Sequence, residues 1–314
     1  MSVAGARRSG GEARVGSLSG AADIFILTVV AAVLVLSPLP IGSVRPLPVM
    51  AIELLSYSAF VVLLLKYGFE SEAPFADARP YVPFLSFVGV CILQIIPLPE
   101  SLLGVLSPAA ANIWDRAGET LTGFGFAGGW DYHTLSLYPW ATVKRILFLL
   151  ACLAFGIAVS RTVVTKRRLT FVLVPLFALL FFEASLGIYQ YLASAGREDA
   201  SGTFVNRNHF AGYLEMTFPL ALGCVLAIGG GRVSGRGSLV KRLVSSGSFQ
   251  KQALLLFVLG VIFLAVLFSR SRMGILCAVA ALAFFSAASA RLAGRGLNVK
   301  WTLYTVLAVA LVFA

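Results

Sequence analysis

Apolar positions in this chain do not alternate with polar ones; they gather into runs about as long as a bilayer is thick. A helix needs ~20 mainly apolar residues to cross a hydrocarbon layer about 30 Å thick. Such runs occupy about 22–42, 47–66, 81–98, 141–160, 169–192, 210–229, 252–269 and 273–290, and a ninth opens near Trp301. The pattern predicts an all-α fold, a polytopic transmembrane helical bundle of about nine spans over 22–314. Because the ninth run is still open at Ala314, the expectation is a truncated chain or an incomplete gene product. A basic tail, 1–21, carries Arg7, Arg8 and Arg14 ahead of the first run. That run has a long apolar core, and Ser37-Pro38-Leu39-Pro40 offers no small-x-small cleavage pattern, so it is expected to stay as a helix.

Composition removes the soluble alternatives. A solvated surface typically requires about 25% Asp, Glu, Lys and Arg. Here that fraction is 12%, against 59% hydrophobic residues, and the mean hydropathy is +0.90. The net charge of +11 does not call for nucleic acid, because basic loops facing anionic membrane lipids account for it. Cys91, Cys152, Cys224 and Cys277 each fall inside an apolar run, with no CxxC or Cys/His spacing. They are expected to be small packing residues, and no metal or other cofactor is expected.

Charge also orients the bundle. Seventeen of the 25 Lys and Arg residues fall on the side of the N-terminus and eight on the other, which predicts a cytoplasmic N-terminus. On the opposite side the longest loop, 99–139, holds Trp114, Trp130, Tyr132, Tyr138 and Trp140, residue types suited to headgroup level. Within it, Ser107–Leu121 is expected to form a short interfacial helix. The segment 229–251, rich in Gly, Ser and basic residues, is expected to be a cytoplasmic linker.

Basic residues on the outer side run against the bias, which makes them informative. Glu183, Gly187 and Gln190 share one helical face of the fifth run. Asn206, Arg207, Asn208 and His209 open the sixth, and Arg270 and Arg272 sit in a tight turn between the seventh and eighth. Plain readings exist for each. The arginines snorkel to the interface, Asn206 or Asn208 caps a helix before Phe210, and His209 is a hydrogen-bonded structural histidine. Glu183 lies deeper, where an unpaired charge costs about 2.5–3.5 kcal/mol, so it has to be neutralised, paired or turned to a polar cavity. Glu215 carries the same obligation, with Arg207 or another outer Arg as candidate partner. The functional reading is that these groups converge on an outward-facing cavity. Guanidinium groups match phosphate oxygens bidentately and stay charged, so several Arg with Asn and Gln donors suit a diphosphate whose tail lies in the membrane.

The segment GTFVNRNHFAGYLEMTFPLALG at 202–223 resembles the Gly-x-Phe-x-Asn-x-Asn-x-x-Ala signature of the O-antigen ligase/polymerase family of bacterial membrane proteins. SLYPWATVKRILFLLA at 136–151, ASLGIYQYL at 184–192 and SRMG at 271–274 resemble further stretches of that family in the same order, so the likeness covers roughly 136–290. The resemblance implies a metal-independent glycosyltransferase of the bacterial inner membrane. Such an enzyme moves an undecaprenyl-diphosphate-linked glycan at the periplasmic face, onto lipid A core, a growing polysaccharide or a protein side chain. It carries Arg272 and Arg207 over as the catalytic diphosphate contacts, with Arg270 as a neighbour. Arg270, Asn206, Asn208, His209, Gln190 and Glu183 are then the substrate-binding residues.

The family's general base is expected to be a histidine on a large periplasmic loop further downstream, past Ala314. His209 is not that residue by position, and His133, in the first long loop, matches no family feature. Two other classes stay open. One is a transporter or flippase of a polyprenyl-linked or anionic substrate, to which Glu183 points; the other is an inactive truncated homologue.

Overall fold

The computed structural model describes residues 3–70, 79–125, 132–229 and 247–292. The ninth run, Trp130 and most of the 229–251 linker lie outside the described residues. The described chain is almost entirely helical. α1 (Val3–Leu36) leads through a 3-10 turn at Ile41–Ser43 to α2 (Pro46–Glu70) and α3 (Val82–Leu93). The long loop holds β1 (Leu98–Pro99), α4 (Glu100–Leu106), α5 (Pro108–Gly123) and β2 (Tyr132–His133). Then come α6 (Pro139–Thr162), α7 (Lys166–Ala193), α8 (Arg207–Glu215), α9 (Phe218–Gly229), α10 (Gly247–Phe268) and α11 (Arg272–Leu292).

Among the described residues, five helices contain apolar stretches long enough to cross a membrane: α1 from Ser19, α2, α6, α7 and α10 from Phe249. Only 17–33% of each stretch is buried within the protein, so most of its residues keep part of their surface uncovered. That is the pattern of a helical protein whose outer solvent is lipid.

Prolines decide where the helices depart from the apolar runs. Pro38 and Pro40 end α1 at Leu36 although the run continues to 42, and Pro97 and Pro99 follow the end of α3 at Leu93. Neither proline pair can donate to a helical ladder, and each restricts the residue before it. The 210–229 run is not one helix but two, α8 and α9, parted at Met216–Thr217. Pro219 has no N–H for the Glu215 carbonyl and its ring crowds that carbonyl. Thr217 covers the break by donating its hydroxyl to Leu214 O.

The chain divides into two compact units, Met1–Val33 with Met50–Arg168, and Leu34–Val49 with Leu169–Ala314. In the first, the Tyr57 hydroxyl on α2 donates to Leu147 O on α6 at 2.7 Å. Asp23 of α1 is nearly buried and takes two cations. Lys66 Nζ donates to its Oδ1 at 2.7 Å, and Arg168 reaches Oδ2 while donating to Thr162 O at 2.9 Å. The helix expected over Ser107–Leu121 is present as α5. Ser107 caps it by accepting the Ala110 N–H at 3.4 Å, with Pro108 at the first helical position, where no intrahelical donor is needed. Leu103, Ala110 and Ala111 are buried against Trp114 and Leu135. The Trp114 indole donates to Thr134 O at 3.0 Å, and its ring stacks on His133 with centroids 5.1 Å apart. Tyr132, Tyr138 and Trp140 remain exposed.

The second unit has its core where α7, α8, α9, α10 and α11 meet, around Leu180, Phe210, Leu214, Phe218, Ile262 and Val266. α11 approaches α8 closely through Gly274, where a Cβ would lie 2.6 Å from that of Ala211. A small residue is what lets two helix backbones come this near.

Candidate functional site

The site grows from one face of α7. Glu183, at 0% exposure, accepts the Thr203 N–H at 2.9 Å and lies 2.7 Å from the Thr203 hydroxyl. That hydroxyl is also 2.9 Å from Pro38 O. Two turns on, Gln190 Nε2 donates to Gly202 O at 2.8 Å and its Oε1 accepts the Ser201 N–H at 3.3 Å. Gly187, between them, has no room for a Cβ, which would lie 2.6 Å from Phe210 Cζ. Glu183, Gly187 and Gln190 therefore act as one face, as their spacing predicts, and what they hold is the 201–203 loop. Gly202 has φ of +56°, and a Cβ there would collide with Glu183 and with Phe210 Cε2 at 2.8 Å. The Ala200 N–H, donating to Phe268 O at 3.1 Å, ties the same loop to α10.

The pinned loop delivers the chain to α8. Asn206 is the N-cap, its Oδ1 accepting the Asn208 N–H at 2.8 Å, which fulfils the plainer expectation for that residue. Arg207 pairs with Asp199. The second oxygen of the same carboxylate is 3.6 Å from Arg270 Nη1. Arg270 occupies the tight turn between α10 and α11 with φ of +52°. It donates to Gly196 O at 2.9 Å and lies over the Tyr191 ring, 5.3 Å from its centroid. Tyr191 in turn stacks on Phe268 at 4.4 Å. Ser271 caps α11 by accepting the Gly274 N–H at 3.2 Å.

One acidic and two basic side chains thus form a half-exposed cluster: Asp199 at 27%, Arg207 at 45% and Arg270 at 50%. Its surplus is one positive charge. Asn208, His209 and Arg272 are exposed, and their side chains form no hydrogen bond or ion pair among the described residues. Arg272 begins α11 directly after the capping Ser271. Arg207 is not the partner of Glu215, whose Oε2 is buried without a hydrogen-bond partner among the described residues, as is the Tyr213 hydroxyl. No three His, Cys, Asp or Glu side chains gather as metal ligands among the described residues.

Sequence reading missed Asp199 and Thr203. The available signal was Asp199 as one of two acids, with Glu198, in a stretch otherwise edged by Arg197 and Arg207. No family model matches the chain, and neither does any curated protein or solved structure.

Proposed function

We propose that this protein is a membrane glycosyltransferase of the O-antigen ligase or exopolysaccharide polymerase type. In this reading it moves an undecaprenyl-diphosphate-linked glycan to a lipid or glycan acceptor at the periplasmic face of a bacterial inner membrane, with its N-terminus in the cytoplasm. The observation that carries the reading is the pair of half-exposed guanidinium groups, Arg207 and Arg270, facing the two oxygens of one carboxylate. Two Arg groups so placed suit the oxygens of a diphosphate. Arg272, close after Arg270 in sequence and without a side-chain partner among the described residues, adds a third cation.

The acceptor hydroxyl attacks the anomeric carbon, the bond from that carbon to the diphosphate oxygen breaks, and the lipid diphosphate leaves with the electron pair. Arg207, Arg270 and Arg272 stabilise the charge that gathers on it. The hydroxyl proton passes to a general base. In the full-length protein, Arg207→Ala and Arg272→Ala should each abolish glycan transfer and leave membrane insertion intact. Wild-type transfer by both variants removes the diphosphate assignment.

A second reading, a transporter or flippase, draws on the α8–α9 break, because broken helices frame substrate sites in many transporters. Uptake of a polyprenyl-linked substrate by reconstituted vesicles, without glycan transfer, would favour it.

A further inference from the structure

We infer that Asp199 is a built-in substitute for the ligand: its carboxylate occupies the space between Arg207 and Arg270 that a diphosphate takes, and it swings aside when the diphosphate binds. The inference rests on the diphosphate reading of the arginine pair and adds how that site is kept when empty. The two Asp199 oxygens are divided between the two guanidinium groups, Oδ2 with Arg207 and Oδ1 at 3.6 Å from Arg270. That is the geometry of an anion bridging two Arg, supplied from within. Both pairs are half-exposed and one is long, so they are weak enough to exchange.

The surroundings divide the moving part from the fixed part. Ala200 is tied to Phe268 O at 3.1 Å, Ser201 and Gly202 to Gln190, and Thr203 to Glu183. The backbone next to Asp199 is therefore fastened, and release needs a side-chain rotation rather than movement of the loop. Arg270 stays aimed when Asp199 leaves, because Gly196 O and the Tyr191 ring hold it independently. Arg207 is freed, since Asp199 is its partner among the described residues. The exchange replaces one negative charge by a larger one between the same two cations.

The test is binding of inorganic pyrophosphate, and of farnesyl diphosphate as the lipid-borne form, to the purified full-length protein in detergent. Asp199→Asn and Asp199→Ala should both bind these probes more tightly, by about fivefold, the scale of an exposed ion pair that no longer has to be broken. Arg207→Ala should bind them more weakly than wild type. Farnesyl diphosphate is expected to bind more tightly than pyrophosphate, marking the lipid-borne source; equal affinities would assign free diphosphate and leave the role of Asp199 standing. Unchanged or weaker binding by both Asp199 variants overturns the inference, as does absence of binding in every variant. Glycan transfer measured on the same proteins separates the two ideas. Tighter binding without transfer by any of them leaves the exchange intact and removes the transferase. Transfer lost in Arg207→Ala with binding unaffected at Asp199 does the reverse.

Discussion

Two places in this protein set one aspartate between two cations, and their surroundings make them opposites. In the first unit Asp23 meets Lys66 and Arg168, with side-chain exposures of 10% for the acid, 14% for the lysine and 29% for the arginine. In the second, Asp199 meets Arg207 and Arg270 with exposures of 27% and 45% for the shorter pair. The stoichiometry is shared, but the dielectric surroundings are not. A charge taken out of water is held by its partners because the alternative is an uncompensated ion. A charge still half in water gives up its partner at little cost. The Asp23 group joins α1, α2 and the start of α7, and it reads as a fastening. The Asp199 group sits at the rim of the pinned loop, and it reads as a site.

The largest effect expected from this contrast is at Asp23. Asp23→Ala strands Lys66, leaves Arg168 with Thr162 O alone, and should destabilise the protein by about 3 kcal/mol, measured as loss of folded protein on heating in detergent. Near-wild-type stability would mean that the buried group is no more than a surface pair. A smaller effect is expected at the loop that presents Asp199. Gly202→Ala meets both a left-handed backbone and the Phe210 ring, and should cost about 1–3 kcal/mol. A protease-resistant, unshifted variant would show that the loop is held more loosely than its hydrogen bonds suggest. The smallest effect belongs to Asp199→Asn, which should change stability by less than about 1 kcal/mol. A loss approaching that of Asp23→Ala would erase the distinction between the two clusters.

Much of the architecture was legible because it depends on periodicity and chain length. The runs at 141–160 and 169–192 became α6 and α7 with ends moved by only a few residues. The helix over Ser107–Leu121 is expected from the sequence, and so is a cap at Asn206 or Asn208 before Phe210, because capping chemistry is local. The face shared by Glu183, Gly187 and Gln190 followed from helical spacing alone. Other features needed contacts that no local pattern encodes. Asp199 reaches Arg270 across a long stretch of chain, and Thr203 is chosen as the partner of Glu183 by the path of an irregular loop. The break between α8 and α9 is a different case. Pro219 stood in the sequence inside an apolar run, and hydropathy, which is indifferent to a missing N–H, passed over it.

Gln190 shows how a helix can prescribe the shape of a segment that has no repeating structure. Its side chain ends in an amide, the same chemical group that joins every residue to the next. By donating to Gly202 O at 2.8 Å and accepting from Ser201, it serves the loop as a neighbouring strand would, over two successive residues. A carboxylate at 190 lacks the donor and an ammonium lacks the acceptor, so neither could satisfy both backbone groups. Where water is scarce, such groups must find partners within the protein. The loop can thus remain irregular and still be specified, its conformation written in a residue that belongs to the helix beside it.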